Sequence, residues 1–71
     1  SKIKLLYDFA RVIWSDRRIE EVEEISFIKY SIKFGFDKEE SEELFDWLID
    51  FAKKDLTTQQ LEKEIINLSN N

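Results

Sequence analysis

Cysteine and histidine are both absent from the 71 residues. Their absence removes disulfides, thiolate nucleophiles, the usual zinc ligand sets and imidazole acid–base chemistry. The side chains left with chemical scope are carboxylates, and a group of them falls close together: Asp16, then Glu20, Glu21, Glu23 and Glu24. Two readings of this acidic turn stand side by side. In one, the carboxylates open a helix and favour the positive end of its dipole. Glu20 is then the N-cap, and Glu23, at the third helical position, reaches back to a backbone N–H. In the other, the turn gathers Asp16, Glu20 and Glu23 as oxygen ligands for a hard divalent cation, Ca2+ or Mg2+. The order of an EF-hand loop is missing, and calcium takes roughly six to eight oxygens, so waters, backbone carbonyls or a second chain complete any such site. Catalysis here reduces to a carboxylate pair acting through a metal, and no pattern marks a substrate pocket, so the chain is expected to bind rather than to react.

Net charge narrows what it binds. Sixteen acidic against eleven basic residues leave −5 at neutral pH, which repels a phosphate backbone, and the adjacent Arg17 and Arg18 are too few to make a basic patch. Nucleic acid is therefore not an expected partner. No apolar run approaches the roughly 20 residues that cross a bilayer, and no basic-then-apolar leader is present, so a soluble chain without direct membrane insertion is expected. The lack of any methionine fits a processed product or one domain of a longer protein.

The elements that position these residues are legible from caps and periodicity. Residues 1–71 suit one all-α domain, a compact four-helix unit whose ten aromatics supply a core, each able to bury about 150–250 Å². In the first helix, about 3–14, polar residues Lys4, Asp8 and Arg11 form one thin stripe, which predicts a largely buried helix. A second helix over 20–34 stops at Gly35, placed for a left-handed C′ position with Phe36 folding back. Asp37 with Glu40 forms a capping box for a third helix over 38–54. Thr57 with Gln60 forms another for a fourth over 58–68, with Leu56 and Leu61 as its hydrophobic staple. Residues 69–71 read as a fraying tail. The expected core includes Leu6, Phe9, Ile13, Ile25, Ile28, Ile32, Leu44, Leu48 and Phe51.

The second helix is apolar on two opposite sides: Val22, Ile25, Ile28 and Ile32 on one, Phe27, Tyr30 and Phe34 on the other. Either both faces are core, with the helix between two others, or one meets a partner, most naturally the aromatic one. Phe27, Tyr30, Phe34 and Trp47 are the candidate partner-binding residues, for another protein or a second copy of the chain.

The run Phe9-Ala10-Arg11-Val12-Ile13-Trp14-Ser15-Asp16-Arg17-Arg18-Ile19-Glu20-Glu21-Val22-Glu23, continued to Phe34-Gly35-Phe36-Asp37, resembles the TerB-like helical domains, the family of the tellurite-resistance protein TerB. Their pattern is an apolar helix, Ala-Asp-Gly-x-Ile-x-x-x-Glu, then a helix ending in an apolar-Gly-apolar corner before a Ser or Asp cap. Asp16, Ile19 and Glu23 stand at its Asp, Ile and Glu, and Gly35 at its corner. The likeness covers about residues 5 to 50. Arg17 replaces the glycine and Ser15 the small apolar residue before the aspartate, and the Asp/Glu unit occurs once where fuller members carry it twice. Arg17 is positioned to pair with Asp16 or Glu20 and so to compete with a cation. The resemblance implies a non-enzymatic helical module, bacterial, linked to stress response or membrane complexes, with metal held at the acids. It also implies a cytoplasmic setting, at a membrane face only through other parts of a parent protein.

Overall fold

In a computed structural model the chain is described over residues 2–69, with side chains to residue 67. Four helices follow one another: α1 (Lys2–Trp14), α2 (Glu21–Lys33), α3 (Lys38–Lys53) and α4 (Thr58–Ser69). Among the described residues no strand occurs, and no helix is long and apolar enough to cross a membrane. Ser69, expected in the tail, is the last residue of α4, and residues 70–71 lie outside the described ones.

The caps act as their sequences imply. Asp37 accepts the Glu40 backbone N–H at 2.7 Å while its own N–H donates to Glu40 Oε1 at 3.1 Å. Thr57 and Gln60 repeat the exchange at the head of α4, at 2.8 and 3.2 Å. At the end of α2, Gly35 has φ +104°, and the N–H groups of Gly35 and Phe36 donate to Ile32 O and Ser31 O, the two bonds of a Schellman motif. The end of α3 is built the same way without glycine. Asp55 takes φ +56°, and the N–H groups of Asp55 and Leu56 donate to Ala52 O and Phe51 O.

Helix α3 is the hub, packing on α1 and α2, while α4 lies chiefly on α1. An aromatic ladder joins the first three helices: Phe45 to Phe27 at 5.0 Å between ring centroids, Phe27 to Phe9 at 5.9 Å, Phe9 to Tyr30 at 5.5 Å and Tyr30 to Phe34 at 4.9 Å. Where α2 meets α3, two serines are fully buried, and Ser41 Oγ donates to Ser31 Oγ at 2.9 Å. Small side chains let the helices approach, and the one bond gives each buried hydroxyl a partner. Tyr7, also fully buried, donates its hydroxyl to the carbonyls of Leu56 and Phe51, tying α1 to the α3–α4 corner.

Principal extents of 34 × 26 × 16 Å describe a slab two helix layers deep, given axes 8–10 Å apart. Every helix therefore keeps an outer face. Leu6, Ile13, Leu48 and Phe51 are buried as expected, and Phe9, Ile28 and Leu44 are half-buried. Ile25 and Ile32, expected in the core, are instead exposed, because α2 has helices against its Phe27 side only. Helix α1 is likewise less enclosed than its pattern implies: Leu6, Tyr7, Ala10 and Ile13 face inward, while Leu5 and Val12 are exposed.

Candidate functional site

The acidic turn resolves into separate local interactions. Glu20 is the N-cap of α2, with an extended backbone, and its N–H donates to Glu23 Oε1 at 3.0 Å. Arg18 Nη2 donates to Glu20 Oε1 at 3.3 Å. Asp16 is exposed on the turn. Among the described residues no group of three Asp or Glu side chains is placed to hold a metal ion.

Arg17 pairs with neither Asp16 nor Glu20, the partners its sequence position suggested; the guanidinium that reaches Glu20 belongs to Arg18. With φ +61°, Arg17 occupies the left-handed region that costs an L-residue about 1–2 kcal/mol. Its guanidinium lies over the Trp14 ring, 5.8 Å from the centroid, and Lys53 Nζ lies 5.1 Å from the same ring. Arg11, Trp14, Ser15, Arg17, Ala52 and Asp55 line a cleft of about 180 Å³ here, and Trp14 Nε1–H is buried without a hydrogen-bond partner among the described residues. Arg17 and Lys53 thus bring positive charge to Trp14 on one side of the turn, while Arg11 and Arg18 are paired with Asp55 and Glu20.

The partner-binding candidates separate by burial. Phe27 is fully enclosed, so its place is the core and not a contact surface; Phe34 is half-buried against that core, and Tyr30 is exposed, its ring edge-on to Phe9 at the α1–α2 seam. What α2 presents outward is its aliphatic side. Val22 is 62% exposed, Ile25 45% and Ile32 47%, spaced i, i+3, i+10 along one stripe with Lys29 among them and Lys33 beside them. Trp47 is half-buried, its ring 4.7 Å from that of Phe51. With Phe36, Glu40, Glu43 and Leu44 it lines a groove of about 460 Å³ along α3.

The aliphatic stripe was visible in the sequence as one of two apolar sides, but side-chain type misassigned it. Large aromatics bury more surface each and win the interior. The groove gave a weaker signal, the i, i+3 step from Leu44 to Trp47 with carboxylates interleaved. Comparison with protein-family models, with curated proteins and with solved structures finds no match to this chain.

Proposed function

We propose that the chain is a non-catalytic docking module, TerB-like in kind, that meets a protein partner through the outer face of α2. One observation carries this reading: three branched aliphatic side chains, Val22, Ile25 and Ile32, stand exposed on one helix face while Phe27 on the opposite side fills the core and Phe34 packs against it. Scattered apolar residues are ordinary at a surface, but a stripe at helical spacing is what a helix shows when it packs against another element. The left-handed backbone at Arg17 is compatible with the likeness, since it falls where the TerB-like pattern has glycine. The carboxylates of Glu20 and Glu23 are occupied by a cap and an ion pair, which favours docking over cation binding as the module's task.

The test uses the double variant Ile25→Ser/Ile32→Ser beside the parent chain. Exposed positions predict a small stability change, within about 1 kcal/mol for the pair. A protein retained by the immobilised parent and lost by the variant, and then shown to co-sediment with the purified parent, is the expected outcome. A loss of stability above about 3 kcal/mol makes the stripe part of the core and overturns the proposal.

A further inference from the structure

Two surfaces of opposite character lie on different elements of the same molecule. The α3 groove has an apolar floor, Phe36, Leu44 and Trp47, edged by the carboxylates of Glu40 and Glu43. Glu40 Oε1 serves the α3 cap, while Glu43 makes no ion pair among the described residues. The α2 stripe is apolar with amines: Ile25 and Ile32 flank Lys29, and Lys33 follows within one helical turn. Neither lysine makes an ion pair among the described residues.

We infer that the outer face of α2 in one copy seats in the α3 groove of a second copy, with Ile32 and Ile25 on Leu44 and Trp47 and the amines of Lys29 and Lys33 toward Glu43 and Glu40. This rests on the docking role given to α2 above and names its occupant. Three features point to a second copy. The groove demands an apolar helix face carrying positive charge, and this chain exposes one. Four of its five lining residues stand at i, i+3, i+4 and i+7 of α3, so it is an open face extended along that helix, which another helix laid alongside can follow. Local charges oppose across the contact although the whole molecule carries −5, so pairing in this orientation is favoured over like-charged alternatives. Because stripe and groove are distinct patches, one contact leaves a free groove on one copy and a free stripe on the other, which either close on each other about a twofold axis or take a further copy.

Sedimentation velocity from about 10 µM to 1 mM, on the whole chain, reads this directly. The parent's weight-average mass is expected to rise with concentration. Ile32→Asp and Glu43→Lys, both at exposed positions, are each expected to weaken association by about tenfold or more, with circular dichroism unchanged. Mixing Lys29→Glu/Lys33→Glu with Glu43→Lys restores a complementary stripe and groove, and the mixture is expected to associate where each alone does not. A chain that stays monomeric throughout overturns the inference and leaves the docking role of α2 to the capture test. If Ile32→Asp abolishes association while Glu43→Lys does not, α2 docks elsewhere than in the groove, which overturns the inference alone. Association untouched by either variant overturns it as well.

Discussion

Arg17 concentrates the local conflict in this chain. Its backbone is left-handed, which favours glycine, while its guanidinium gains a cation–π contact with Trp14 worth about 0.5–1 kcal/mol at an exposed site. The two effects separate by comparing variants. Arg17→Ala loses the contact and keeps the strain, whereas Arg17→Gly loses both, so the glycine variant is expected to be the more stable by about 1 kcal/mol in urea unfolding. Equal stability means the backbone there carries no strain. Asp16 belongs to the same turn but is exposed. Asp16→Asn is expected to leave the melting temperature within about 2 °C of the parent, with or without millimolar calcium or magnesium. A calcium-dependent rise present in the parent and lost in Asp16→Asn restores the cation reading.

At the scale of elements, the hydroxyl of Tyr7 holds α1 to the α3–α4 corner. Burial raises its pKa above the ordinary 10.0, against a lowering contribution from Arg11. In the unfolded chain the phenol ionises near its ordinary value, while in the folded chain it stays neutral to higher pH. Its contribution to stability is therefore complete below about pH 10 and is lost as pH rises beyond that. Tyr7→Phe is expected to cost about 1–2 kcal/mol at neutral pH through the hydrogen bonds to Leu56 and Phe51. It is also expected to flatten the alkaline decline in stability, as read by denaturant titrations between pH 8 and 11. A decline of the same slope in both chains removes Tyr7 from its cause. The hub helix gives a contrast with α2: Leu48 is fully buried, and Leu48→Ala is expected to cost about 2–5 kcal/mol. A loss below half a kilocalorie contradicts its place in the core.

For the whole molecule, thickness is the governing quantity. A slab 16 Å through in its shortest direction gives α2 neighbours on one side only, so the two-sided pattern of that helix is not satisfied by the other three helices. The unmet side is the origin of the docking role proposed for it. It also accounts for where the sequence was legible. Helix ends were marked by local chemistry, Asp37 with Glu40, Thr57 with Gln60 and Gly35 before Phe36, and those contacts span only a few residues. Burial of Ile25 and Ile32 depended on whether another helix lay beyond them, which no local signal encodes.

The amino-acid sequence by itself determined an all-α chain of four helices with their caps, the aromatic supply of the core, and the lack of thiol and imidazole chemistry. These follow from residue identity and short-range spacing, because a helix and its caps are closed by hydrogen bonds three to five residues apart. Tertiary structure alone decided which side of α2 faces solvent, which arginine reaches Glu20, and that Arg17 lies over Trp14 instead. It also opened a groove between Phe36 and Trp47. Each of these depends on which helices become neighbours, and in a layer only two helices deep the competition for the interior goes to the side chains with most surface to bury, leaving the aliphatic face of α2 outside.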